Sequence, residues 1–148
     1  MARALVILGS AREGSNTLKA VQELCPFQNY ELIDLRKHTI HPYRYDSENI
    51  PPDDFLMIVD NMLQADVIVF ATPVYWYAMS GIMKTFFDRF SLLLREYKTR
   101  GRALKGKEVY LIATSSEPTL SEGFEVPFRR TAEYLDMNYK GAFFKYFP

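Results

Sequence analysis

The tightest constraint on the fold comes from three short, unbroken apolar runs rich in β-branched residues: Ala4 to Leu8 (ALVIL), Val67 to Ala71 (VIVFA) and Val109 to Ala113 (VYLIA). Such runs have no polar side to offer water, so they suit strands buried on both faces. A fourth run, Glu31 to Leu35 (ELIDL), is interrupted by Asp34 and reads as a strand nearer a sheet edge. Stretches of helical character lie between and after them, over Asn16 to Cys25, Asp53 to Gln64, Gly81 to Tyr97 and Phe124 to Asp136, with a last strand near Tyr139 to Tyr146. Alternation of strand and helix implies parallel strands joined by right-handed crossovers, and so an α/β three-layer sandwich.

The third helical stretch carries Ile82, Phe86, Phe90, Leu93, Leu94 and Tyr97 at three- and four-residue steps, which is one face at helical periodicity. Met83, Phe87 and Leu92 widen that stripe. It reads either as a thoroughly buried helix or as one that also meets a partner subunit. The long irregular segment from Arg36 to Pro52 holds Pro42, Pro51 and Pro52, and loops of this length in compact domains are often functional.

A chain of 148 residues suits a single domain over residues 1–148, and an apolar content of 48% supplies its core. Eighteen basic residues balance eighteen acidic ones, which leaves no electrostatic footprint for nucleic acid or for a membrane surface. No run approaches the ~20 apolar residues of a spanning helix. The opening MARALVILGS falls far short of signal-peptide anatomy, so a cytoplasmic protein is expected. Cys25, the lone cysteine, has no internal partner and reads as a small buried or half-buried hydrophobe. His38 and His41 lack the third ligand a metal site requires, and no metal is expected.

In an open parallel sheet, ligands bind outside the carboxyl ends of the strands. Gly9-Ser10-Ala11-Arg12-Glu13-Gly14-Ser15-Asn16-Thr17 falls directly between the first strand and the first helix. Small residues allow a tight turn, hydroxyls donate, Arg12 adds a positive charge and the helix start offers unpaired N–H groups, a combination suited to a phosphate monoester. The plainer alternative is an ordinary turn with a helix cap. Neither the Walker loop nor the dinucleotide-binding glycine fingerprint is present. A phosphatase of related architecture would need a cysteine inside this loop, and Cys25 lies beyond the helix. After the third strand comes Thr72-Pro73-Val74-Tyr75-Trp76-Tyr77-Ala78-Met79-Ser80-Gly81. Three consecutive aromatics at a strand end cannot all turn inward, so this segment suits a flat conjugated ligand, with core filling or an interface as the alternative.

Together, Gly9-Ser10-x-Arg12-x-x-Ser15-Asn16-Thr17 and Pro73-x-Tyr75-x5-Gly81-x-x-Lys84-x-x-x-Asp88-Arg89 resemble the NADPH-dependent FMN reductase family of flavodoxin-like proteins. The resemblance extends from Ala4 to about Gly141. It implies FMN as resident cofactor, with NADPH or NADH as electron donor and a quinone, free flavin or similar small molecule as acceptor. By position, Ser10, Arg12, Ser15, Asn16 and Thr17 would cradle the phosphate, and Pro73, Val74, Tyr75, Trp76 and Tyr77 would border the ring. Ser115, Ser116 and Glu117, after the fourth strand, are further candidates, although they stand where relatives often carry glycines. Lys84, Asp88 and Arg89 sit along a helix and read as structural pairs at four-residue spacing. The chain also resembles iron–sulfur flavoproteins, but His41-Pro42-Tyr43-Arg44-Tyr45-Asp46 stands where their cluster cysteines would be.

Flavin chemistry asks the protein for orientation and stacking, so no dedicated catalytic acid or base is expected. Tyr75 to Tyr77 and the loop from Arg36 to Pro52 would wall a pocket shared by donor and acceptor in turn. The rival reading is a flavodoxin-like electron carrier without NAD(P)H turnover of its own, although a neutral chain with Arg12 in its loop departs from the acidic surface of such carriers. The family pattern closes with a further helix after the fifth strand that has no counterpart here. The sheet face it would cover is expected to be masked either by a second copy, giving a homodimer, or by Phe143, Phe144, Tyr146 and Phe147.

Overall fold

The three apolar runs lie side by side in a five-stranded, wholly parallel sheet in the computed structural model, which describes residues 2–148. Along the chain the elements are β1 (Ala4–Leu8), α1 (Asn16–Leu24), β2 (Tyr30–Asp34), α2 (Phe55–Gln64), β3 (Val67–Pro73), α3 (Gly81–Asp88), α4 (Lys98–Ala103), β4 (Glu108–Ser115), α5 (Val126–Tyr134) and β5 (Asn138–Tyr146). The spatial order β2-β1-β3-β4-β5 is that of a flavodoxin-like sheet, with the chain reversing direction across the sheet between β1 and β3. As the interrupting Asp34 led us to expect, β2 is an edge strand. Asp34 Oδ1 ends it by accepting from Arg36 N–H at 3.0 Å, which starts a single 3₁₀ turn.

Alternation along the strands divides the core. Leu5, Ile7, Ile68, Phe70 and Leu111 point toward α2, α3 and α5, where Phe55, Phe86 and Phe128 are completely buried. Ala4, Val6, Val67, Val69 and Ile112 point toward α1, which meets them with Ala20 and Val21. Burying a large apolar side chain contributes about 1.5–3 kcal/mol, so the first, aromatic-rich core dominates stability. At β5 the register slips between Val109 and Tyr110, and Gly141 adopts φ +129° at the irregularity.

Two expectations need correction. The stretch from Gly81 to Tyr97 is not one helix: α3 ends at Asp88, residues Arg89–Leu94 tighten into a 3₁₀ helix, and α4 follows as a separate element. Arg89 is drawn inward to a buried partner, Tyr97 N–H folds back onto the Leu92 carbonyl at 2.9 Å, and Gly101 packs against Leu93. A Cβ at position 101 would lie 2.3 Å from the Leu93 carbonyl oxygen, so only glycine permits this return. Of the aromatics expected to mask the thinly covered face, Phe143 and Phe147 do pack there with Phe27 and Tyr110. Phe144 packs into the opposite core and Tyr146 is 42% exposed, because successive strand residues point to opposite sides.

Candidate functional site

At the carboxyl ends of β1, β3 and β4 the sheet gathers hydroxyls. Ser10, Ser15, Thr17, Thr72, Ser80 and Thr114 are all at most 3% exposed, and among the described residues they are every buried polar residue but one. Polar groups persist inside only when they are bonded or reserved for a ligand, so the clustering marks this end as special. Several of the hydroxyls knit the loops together. Ser80 Oγ caps α3 by accepting from Met83 N–H at 3.1 Å and itself donates to the Gly9 carbonyl at 2.6 Å. Thr72 Oγ1 accepts from Ser80 N–H at 3.0 Å, and the Thr17 and Thr114 hydroxyls lie 2.8 Å apart. Gly9 eases this approach, since a Cβ there would lie only 3.0 Å from Met83 Cβ and Cε.

Between these loops lies a cleft of about 420 Å³. Ser10, Arg12, Ser15, Asn16 and Thr17 form one end, Pro73, Val74 and Tyr75 a wall, and Thr114, Ser115 and Ser116 the facing wall. Ser15 caps α1, its Oγ accepting from Leu18 N–H at 3.1 Å, while the N–H groups of Asn16 and Thr17 have no acceptor within the helix. Gly14, at φ +58°, makes the turn that brings Ser15 into capping position. The cleft lining holds hydroxyls, helix N–H groups and one guanidinium, and no carboxylate. That donor set fits a phosphate monoester, and the fit extends to FMN because the cleft continues along a flat aromatic segment.

The aromatic segment is a tight two-residue turn. Tyr75 and Ala78 exchange both backbone hydrogen bonds, at 2.9 and 3.1 Å, and Trp76 and Tyr77 occupy its centre at φ 50° and 67°. Both are left-handed conformations that non-glycine residues rarely adopt, and such strain gathers at ligand sites. Trp76 is 93% exposed and Tyr77 61%, so both side chains stand out of the core. Trp76, Tyr77 and Glu117 line an adjoining cavity instead of the cleft itself.

All the residues singled out in the sequence therefore converge on one end of the sheet. The loop from Arg36 to Pro52 lines neither cavity, although Arg36 at its start lies 3.9 Å from Glu13 of the loop between β1 and α1. It is tied down elsewhere, by Asp53, whose carboxylate accepts from His41 N–H at 2.9 Å and from Arg89 Nη1 at 2.6 Å. Arg89 is thus a structural residue, as the helix reading expected, but its partner is 36 residues away rather than four. Lys84 and Asp88 do pair at four-residue spacing. Thr114 and Phe147 line the cleft without having been singled out for it. Phe147 reaches it because its N–H donates to the Ser115 carbonyl at 2.9 Å, which carries the pairing of β5 with β4 past the strand end.

A cradle of hydroxyls, helix N–H groups and one guanidinium, free of carboxylates and opening onto an aromatic wall at the switch point of a 2-1-3-4-5 sheet, defines a flavodoxin-like flavoprotein. Among solved structures, the Trp repressor binding protein of Bacillus subtilis has the same fold, with a TM-score of 0.78 at 26% identity, covering 98% of this chain and 85% of that one. The putative NAD(P)H-dependent FMN-containing oxidoreductase YwqN of B. subtilis strain 168 is 31% identical over 145 residues, 92% of this chain and 80% of its own length. The FMN reductase (NADPH) of Escherichia coli K12 is 30% identical over 122 residues, 76% of this chain and 56% of that protein. Residues 2–142 match the NADPH-dependent FMN reductase family, and the chain belongs to it. It is accordingly an FMN-dependent NAD(P)H oxidoreductase.

Proposed function

We propose that residues 1–148 act as one FMN-binding domain that takes electrons from NADPH or NADH and passes them to a quinone, a free flavin or a similar small acceptor. The observation that carries the reading is the cleft lining, which puts hydroxyls, helix N–H groups and a guanidinium without any carboxylate at the phosphate end and Pro73, Val74 and Tyr75 beyond it. In this reading Ser10, Arg12, Ser15, Asn16 and Thr17 hold the phosphate. Pro73, Val74 and Tyr75 support one side of the ring system, Ser115, Ser116 and Glu117 approach it from the other loop, and Trp76 and Tyr77 border the opening. Bound FMN supplies the hydride and electron chemistry, for which the side chains provide position and shelter from water. In this reading donor and acceptor use the same opening in turn.

The test is a fluorescence titration of FMN and riboflavin into wild type and Arg12→Ala. Arg12→Ala should weaken FMN by about tenfold or more and riboflavin far less, because a charge-assisted contact contributes roughly 1.5–3 kcal/mol. Equal losses for the two flavins would remove the phosphate assignment.

The working form in this reading is a homodimer in the cytoplasm, where reduced nicotinamides are available. Supporting the dimer, Leu94 and Tyr134 stay 42% and 73% exposed beside a largely apolar groove. Among the described residues no helix is long and apolar enough to cross a membrane. Light scattering after size exclusion should give twice the chain mass; a monomer at micromolar concentration would contradict the dimer.

A further inference from the structure

Among the described residues, only two that line the cleft or the cavity of about 200 Å³ beside it carry a formal charge, Arg12 in the cleft and Glu117 in the cavity. The two spaces meet at Val74, Ser115 and Ser116, which line both. Neither Arg12 nor Glu117 forms an ion pair among the described residues, so the protein itself cancels neither charge. Glu117 N–H donates to Ser115 Oγ at 3.0 Å, which fixes the backbone that carries the carboxylate. The rest of the loop has the same sign: residues Ser116 to Glu125 include three carboxylates and no basic side chain. Glu122 is exposed, and Glu125 is engaged by the Tyr139 hydroxyl, which donates to it at 2.7 Å.

We infer that the FMN-loaded site selects its electron acceptor by charge, favouring neutral or cationic ring compounds over anionic ones, and that Glu117 sets the preference. The inference rests on the reading that Arg12 holds the FMN phosphate. A phosphate monoester carries a charge of about −1.5 to −2 at pH 7, so it fully matches the one guanidinium. No positive side chain is then left in the lining to receive a second anion. In the same reading the acceptor enters past Trp76 and Tyr77, whose exposed rings offer a flat apolar surface to another conjugated ring, and Glu117 lines that cavity with them. A carboxylate, sulfonate or phosphate on the incoming molecule would lose part of its hydration next to a like charge. An uncharged quinone meets no such cost, and a cationic ring gains. The nicotinamide ring passes the same filter, being neutral when reduced and cationic once it has given up its hydride.

The experiment titrates 2-naphthamide, 2-naphthoate and 2-naphthylmethylammonium, one ring frame in uncharged, anionic and cationic form, into the oxidised full chain saturated with FMN, and follows the visible flavin spectrum. At low salt, wild type should bind the amide about fivefold more tightly than the naphthoate, the effect of one like charge at contact distance in water, and the ammonium at least as tightly as the amide. Glu117→Gln, likewise saturated with FMN, should bring amide and naphthoate within about twofold, and Glu117→Lys should reverse their order. Added salt should narrow the wild-type preference, because partly exposed charges are screened. In turnover, free riboflavin should be a better acceptor than free FMN, which has the same ring and differs by the phosphate, and Glu117→Gln should narrow that gap as well. Equal binding of amide and naphthoate by wild type at low salt, a preference undiminished in Glu117→Gln, or no flavin response to any of the three probes would overturn the inference and leave the phosphate assignment standing. Equal losses of FMN and riboflavin in Arg12→Ala would instead remove the reading on which it rests.

Discussion

Replacing Asp53 by Asn should destabilise the fold severely without changing how the folded protein binds flavin. Asp53 and Arg89 are 4% and 5% exposed in their side chains, with Arg89 Nη1 2.6 Å from Asp53 Oδ2. The carboxylate also accepts from His41 N–H at 2.9 Å and Phe55 N–H at 3.0 Å, Arg89 Nη1 donates to the His41 carbonyl at 2.9 Å, and the guanidinium lies 4.7 Å from the centre of the Phe55 ring. One pair thus fastens the loop after β2, the start of α2 and the end of α3. An amide at position 53 leaves the guanidinium buried without a counter-charge, which costs about 3–5 kcal/mol. Against a total stability of about 5–15 kcal/mol for a domain, that is a large fraction. The assay is urea unfolding of the flavin-free protein, so that ligand binding does not mask the loss. Asp53→Leu with Arg89→Met should recover most of the stability, because a well-packed apolar pair is close to neutral. A loss below about 1 kcal/mol for Asp53→Asn would refute the reasoning. So would a change in FMN affinity of the folded variant, since neither residue lines the cleft.

The pair also sets an acid limit. Burial alone would raise the Asp53 carboxyl, but the Arg89 hydrogen bond and the N–H groups of His41 and Phe55 outweigh it and hold its pKa below the usual carboxylate value. Because the folded value is the lower one, this stabilisation is complete above pH ~4 and is lost as the pH falls through the folded pKa. Urea midpoints across that range should therefore drop more steeply for wild type than for Asp53→Asn. Phe87→Glu should abolish folding by circular dichroism, since the ring is 8% exposed and packs 4.9 Å from Phe70 and 5.2 Å from Phe128; a folded variant would show that the helix face is not core. Trp76→Gly should leave apoprotein stability within about 1 kcal/mol, relief of left-handed strain offsetting the entropy of glycine, yet weaken FMN and riboflavin alike; tight binding of either by the variant would remove Trp76 from the ring site.

The central strands were legible because burial on both faces leaves only apolar residues along β1, β3 and β4. The turn and cap that open α1 were legible because small residues, hydroxyls and Ser15 follow directly after a strand. The break after Asp88 was not, since Phe90, Leu93 and Leu94 keep the three- and four-residue steps of an α-helical face and nothing local marks the tightening into a 3₁₀ helix. The position of the Arg36 to Pro52 loop depends on Asp53 meeting Arg89, and nothing local announces a contact across 36 residues. Phe147 reached the cleft through strand pairing, which parallel register gives only once the strand order is known.

The most direct test mixes the FMN-loaded protein with NADPH, and separately with NADH, in the absence of oxygen. At least one donor should bleach the yellow colour within a turnover time, and a quinone or free flavin added afterward should restore it, with ping-pong kinetics in steady state. Colour that survives both nicotinamides, but is bleached by a separate protein reductase, would contradict the enzyme and leave an electron carrier in its place.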